Sequence, residues 1–172
     1  MTRSPLQRRA AVILAVAGLL LFVGVRWCRS QTGTASAANP APEQALSPEE
    51  KARLKKLDDG PKTIDITAYP ADQKAAYPLF TKKCSKCHSI GRPINSDFVL
   101  PSQWERYVKR MTYKPNSKIS QTDGKTIYHF LVYDSSVRKV KSLRGRLAGL
   151  TAEERAVEID KVKAINPAFK TE

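Results

Sequence analysis

"YPLFTKKCSKCHSIGRPIN", residues 77–95, contains two of the chain's three cysteines and one of its two histidines. Cys84 and Cys87 are spaced three apart, with His88 directly behind. On a continuing helix these three side chains would share one face within a single turn. Three chemistries use such a cluster: a redox disulfide, a zinc site, or a covalently attached haem. The surrounding chain discriminates among them.

A thioredoxin-like C-x-x-C sits in a βαβ setting and has no use for a histidine at His88. No βαβ pattern is visible. Zinc requires four ligands, and Cys84, Cys87, His88 and His129 would just supply them, without finger or ribbon spacing. Haem attachment uses two thioethers on the porphyrin edge and the next residue's imidazole on the iron. The sequence therefore favours haem c, with Cys84 and Cys87 as attachment residues and His88 as an axial ligand.

Working back from the motif, the N-terminus is an export or membrane segment. "MTRSPLQRRAAVILAVAGLLLFVGVRWCRS" places Arg3, Arg8 and Arg9 ahead of an unbroken apolar run from Ala10 to Val25. That run spans about 24 Å as helix, short of the ~30 Å hydrocarbon core, which suits a signal-peptide core. Arg26, Trp27 and Arg29 suit an interfacial anchor instead. An A-x-A-type site at Ala35-Ser36-Ala37 lies far beyond the run. Residues 1–29 thus read as a signal anchor or a cleaved signal, and either directs the body out of a bacterial cytoplasm. Cys28 lacks the small residues of a lipoprotein box before it. It reads as an incidental thiol, with lipid attachment as the alternative.

"SQTGTASAANPAPEQA", 30–45, is small, polar and proline-bearing, so the linker is drawn at 30–46. "SPEEKARLKKL" opens a short helix, with Ser47 and Glu50 as a capping box and Pro48 at its first position. "TIDITAYP", 63–70, is extended, with Ile64 and Ile66 on one side. A helix from about Ala71 to Lys83 leads into the cysteines, with Pro78 as a kink or fresh start. "SQWERYVKRMTY" opens with Ser102 and Glu105 and stops at Pro115. "SQTDGKTIYHFLVYD" opens with Ser120 and Asp123. Two more helices follow, "VRKVKSLRGRL" and "TAEERAVEIDKVKAI", the second capped by Thr151 and Glu154 and ended by Pro167. Strand signals are nearly absent, so the fold class is all-α. The body is drawn as a haem domain over 47–136 and a basic helical extension over 137–172.

The second axial ligand is chosen by helical phase. At about 100° per residue, Tyr107, Val108 and Met111 all fall within about 60° of Trp104. Met111 therefore lies in the apolar stripe. His129 falls about 160° from Ile127, away from the buried face. Met111 is the expected distal ligand, with His129, lysine or an open iron as alternatives. Trp104 is expected to pack on the porphyrin, to reach a propionate with its indole N–H, or to serve as plain core. A carbonyl within Gly91–Ile94, foremost that of Pro93, is expected to accept from Nδ1 of His88 and orient the ring.

"YPLFTKKCSKCHSIGRPIN", "WERYVKRM" and "IYHFLVYDSSVRK" together resemble the small monohaem c-type cytochrome domains, including the photosynthetic reaction-centre cytochrome c-551 type. The resemblance covers roughly residues 64–140. Its C-x-x-C-H part is generic, and the W-x-x-x-V-x-x-M block is more specific. It implies a cytochrome c fold of a few helices around haem. Cys84 and Cys87 match the attachment cysteines, His88 the proximal ligand and Met111 the distal one.

Function follows from the iron. His/Met ligation fills both axial positions and leaves one-electron transfer. The expected role is a membrane-tethered periplasmic electron carrier, not an enzyme. A haem enzyme or gas or redox sensor with an exchangeable distal ligand is the alternative, and an assembly subunit is a third. The formal net charge is +14, of which the leader holds +5 and the rest +9. Lys82, Lys83, Lys86 and Arg92 flank the motif. They read either as a solvated face or as a docking ring for an acidic redox partner. The inner membrane is the other expected partner. Export and the lack of a recognised binding motif argue against nucleic acid.

Overall fold

The protein is described here from a computed structural model covering residues 46–172. The proposed membrane segment and nearly all of the linker lie outside these residues. Seven helices follow one another: α1 (Pro48–Asp59), α2 (Ala71–Cys84), α3 (Gly91–Asn95), α4 (Pro101–Thr112), α5 (Gln121–Val137), α6 (Val140–Ala148) and α7 (Ala152–Ile165). The described residues contain no strand, so the all-α class holds. None of their helices is long and apolar enough to cross a membrane.

Three helix starts have a common chemistry. The orphan N–H groups of a first turn need acceptors, and a hydroxyl paired with a carboxylate three residues on supplies them. Ser47 with Glu50, Ser120 with Asp123, and Thr151 with Glu154 each form this reciprocal pair. α4 starts differently. Pro101 occupies its first position, where a missing N–H costs nothing. Gln103 Oε1 accepts from the N–H groups of Val99 and Leu100, both at 3.0 Å. The expected Ser102–Glu105 box is not formed. The Ser102 N–H donates to Glu158 of α7 at 3.0 Å, and Glu105 pairs with Lys161 at 3.2 Å. α2 runs through Pro78 as one helix.

The core is aromatic at its centre. Phe80 of α2 and Phe130 of α5 stack with centroids 5.0 Å apart, and both are wholly buried. Ile64 is buried and Ile66 half-buried, while Asp65 between them is exposed, so the extended segment faces the core as expected. α4, α6 and α7 also pack on α5. Leu143, Leu147, Val162 and Phe169 join Phe80 and Trp104 in one hydrophobic cluster. Residues 46–172 fall within one compact unit, and apolar side chains on both sides of residue 137 share one cluster.

A buried carboxylate ties this core to the motif region. Asp134 of α5 is 1% exposed and accepts from Tyr69 Oη at 2.8 Å and from Arg138 at 2.9 and 2.6 Å. Arg138 also donates to the Ile94 carbonyl at 3.1 Å, and Lys139 Nζ to the Ser96 carbonyl at 2.7 Å. The end of α5 thus grips the segment that follows the Cys84–His88 motif.

Candidate functional site

α2 carries the motif to Cys84 and then stops. The Ser85 N–H closes on the Thr81 carbonyl, and Lys86–His88 form a turn outside the helix. Cys84, Cys87 and His88 therefore do not share the face of one helix. They straddle its C-terminus, because the chain must turn to bring Ser89 and Gly91 against α1. Cys84 is half-buried, and burial, with Cys87 beside it, pushes its thiol up to about 12. Cys87 is exposed. Both are free thiols.

The His88 ring is held from two sides. Nδ1 lies 3.0 Å from the Ser89 carbonyl and Nε2 lies 3.4 Å from Tyr107 Oη. The expected acceptor, Pro93, is engaged elsewhere: its carbonyl accepts from Ser96 Oγ at 3.0 Å. The Gly91 carbonyl takes Asn95 Nδ2 at 2.8 Å, and the Ile94 carbonyl takes Arg138. The physical reason is α3. A short helix over Gly91–Asn95 aligns its carbonyls along its own axis and away from the imidazole. Pro93 is buried within that helix. A carbonyl on Nδ1 places the proton there and leaves the Nε2 lone pair facing the Tyr107 hydroxyl.

The stripe of α4 faces His88, and Tyr107 is the residue that meets it. Burial raises its phenol, and Cys84 nearby adds to the shift. Phe98 stands edge-on to both Trp104 and Tyr107, at 5.6 and 5.7 Å. Trp104 is fully buried, and its indole N–H donates to Ser135 Oγ at 2.8 Å. That hydrogen bond occupies the donor expected for a propionate. Met111 lies one turn beyond Tyr107, half-buried against the core. Sequence reading placed Tyr107 in this stripe but gave it no role. Ser89, Asp58 and Arg92 were also missed as a group, because their association depends on how α1 docks.

His129 lies half-buried on α5 beside Tyr128, with ring centroids 5.8 Å apart. Burial lowers its pKa, and Lys125 lowers it further. Among the described residues, no group of three or more His, Cys, Asp or Glu side chains converges as a metal-ion site. The four-ligand zinc set is therefore not assembled.

The basic flank divides in two. Lys83 Nζ reaches Asp123 at 2.8 Å and the Lys118 carbonyl at 2.7 Å. Lys83 and the Ser120 N–H hold the Asp123 carboxyl down to about 2. Arg92 forms a two-pronged pair with Asp58. Lys82 and Lys86 are exposed, as is Cys87. A cavity of about 420 Å³ opens elsewhere, between α4, α5 and α7, lined by Val108, Thr112, Tyr113 and Tyr128 among others. Cys84, Cys87 and His88 do not line it.

Cys84, Cys87 and His88 are the residues that could hold a covalently attached haem. Two free thiols flank one turn, and Nε2 of the imidazole faces Tyr107 Oη. No protein-family model, curated protein or solved structure matches the chain.

Proposed function

We propose that this chain is a c-type cytochrome, tethered to or exported across a bacterial cytoplasmic membrane, which carries single electrons in the periplasm. The observation that carries the reading is the setting of His88. Nδ1 is tied to a main-chain carbonyl, Nε2 faces the apolar stripe of α4, and two free thiols stand at C-x-x-C spacing just ahead. When bound, haem would supply a one-electron iron couple. Cys84 and Cys87 would hold it through thioethers, and His88 Nε2 would be the proximal donor. Met111, in the last turn of α4, is the proposed distal donor. Trp104, Tyr107 and Phe98 would exclude water from that side. Lys82 and Lys86, exposed as Cys87 is, would meet an acidic redox partner.

Tyr107 supports a second reading. Its hydroxyl meets the donor nitrogen of His88 at 3.4 Å. A phenol at that nitrogen would suit a haem whose distal donor exchanges, as in a haem enzyme or gas sensor. Carbon monoxide added to the reduced, haem-loaded protein separates the two. A carrier with Met111 bound changes slowly at neutral pH, whereas an open or weakly held position changes at once. Met111→Ala should abolish the near-infrared sulfur-to-iron band of the carrier. An unchanged spectrum would exclude Met111.

A further inference from the structure

α1 is an unusual helix for this fold. None of its residues is fully buried, although a surface helix normally buries an apolar face. Its described partner is α3. The hydrogen bonds between the two lie at one end of α1, at Leu57 and Asp58. The last carbonyls of any helix lack intrahelical donors. Gly60, after the last turn, is extended and does not curl back to cap them.

The donors come from the segment behind the Cys84–His88 motif. Ser89 Oγ donates to the Asp58 carbonyl at 2.9 Å and accepts from the Gly91 N–H at 3.1 Å. Asn95 Nδ2 lies 3.0 Å from the carbonyls of both Leu57 and Pro61. Arg92 clasps the Asp58 carboxylate. The approach is close enough to demand glycine. A Cβ on Gly91 would lie 2.8 Å from the Leu57 carbonyl oxygen and 3.0 Å from that of Asp58. Ser89 faces both ways, since its side chain caps α1 while its carbonyl meets Nδ1 of His88.

We infer that α1 is a brace for the His88 imidazole: the Asp58 carbonyl in its last turn fixes Ser89, and Ser89 fixes the ring with Nε2 facing Tyr107. Ser89, Gly91 and Asp58 are positioning residues in this account, and none of them holds the cofactor. The inference rests on the cytochrome reading for its purpose. Its geometry belongs to the polypeptide and is open to test without haem.

The test uses the full chain in two forms. In the unloaded chain, ¹⁵N NMR of His88 reads which ring nitrogen carries the proton. The wild type should show the Nδ1–H form. Ser89→Ala removes a cap, and Gly91→Ala pushes α1 away without removing any polar group. Both should convert His88 to a mixture of tautomers, and Ser89→Thr should restore the wild-type signal. Thr151→Ala, which removes the cap of α7, should leave His88 unchanged and controls for general loosening. In the loaded chain, Ser89→Ala should shift the midpoint potential, and Ser89→Thr should reverse the shift.

An unaltered Nδ1–H signal in folded Ser89→Ala and Gly91→Ala would overturn the brace. So would an equal change in Thr151→Ala. Absence of covalent haem from the wild type would overturn the cytochrome reading alone, because the tautomer result stands apart from it.

Discussion

Tyr107 Oη faces Nε2 of His88 at 3.4 Å, joining the turn behind α2 to the stripe of α4. At this length the hydrogen bond is weak, and most of what Tyr107 contributes is its buried ring. Tyr107→Phe should therefore cost no more than about 1 kcal/mol of unfolding free energy. Tyr107→Ala should cost about 3–5 kcal/mol, as large aromatic deletions from a core do. Urea denaturation monitored by circular dichroism distinguishes the two. A Phe variant as damaged as the Ala variant would mean that the hydroxyl, not the ring, is what matters.

Trp104 and Ser135 form a buried pair with the indole N–H donating at 2.8 Å. Ser135→Ala leaves that N–H without an acceptor and should cost about 1–3 kcal/mol. Ser135→Thr keeps the acceptor but adds a methyl to a site with no exposed surface, so overpacking should also destabilise it, by about 1–3 kcal/mol. A wild-type denaturation midpoint in Ser135→Ala would show that the indole finds another partner.

Asp134 is a buried carboxylate whose charge is matched by Arg138 and hydrogen-bonded by Tyr69. Removing the cation alone strands the anion. Arg138→Met should destabilise by about 3–5 kcal/mol, while Arg138→Met combined with Asp134→Leu should recover much of the loss. If the double variant is no better than the single one, the pair is not what the site depends on. The same substitution frees the Ile94 carbonyl, so the backbone amides of α3 should lose hydrogen-exchange protection first.

Lys139 gives the fold a pH signature. Its ammonium sits under Trp104, 5.4 Å from the ring centroid. Burial first, and then Arg138, lower its pKa to about 8, with Asp134 and Asp97 opposing the shift. An unfolded lysine keeps its proton up to about 10.4. Between pH 8 and that value, unfolding takes up a proton, so stability rises with pH across this window. Below pH 8 both states are protonated and the contribution is flat. Subtracting the Lys139→Met profile from that of the wild type should isolate the rise. A flat difference between pH 8 and 10 would mean the amine titrates normally.

Much of this architecture could be read from local chemistry. Ser47, Ser120 and Thr151 each announce a helix three residues ahead of an acid, because capping is decided within one turn. The all-helical class and the inward phase of Trp104 and Tyr107 likewise depend on periodicity alone. The start of α4 was misread because Ser102 and Glu105 mimic a capping box. Pro101 and Gln103 supply a better one, and Glu158 and Lys161 of α7 claim the other two groups. The role of Ser89 was illegible for a different reason. Its partner, the Asp58 carbonyl of α1, is a backbone atom some thirty residues away, and no side-chain pattern encodes it. Gly91 gave a hint, since a glycine there permits a turn, but what it permits is the close approach of Leu57. The helices beyond residue 137 looked like an appendage because their charge is high. Leu143, Leu147 and Val162 show that their apolar sides complete the common core.

The central claim, that Cys84 and Cys87 carry haem, is tested most directly by haem-stained denaturing electrophoresis of the full chain produced in a bacterium with its haem-attachment proteins. The account predicts a stained band at the mass of the chain that survives denaturant and acid–acetone, and that Cys87→Ser weakens or abolishes. Complete extraction of haem into acid–acetone, or an unstained band from well-folded exported protein, would contradict it.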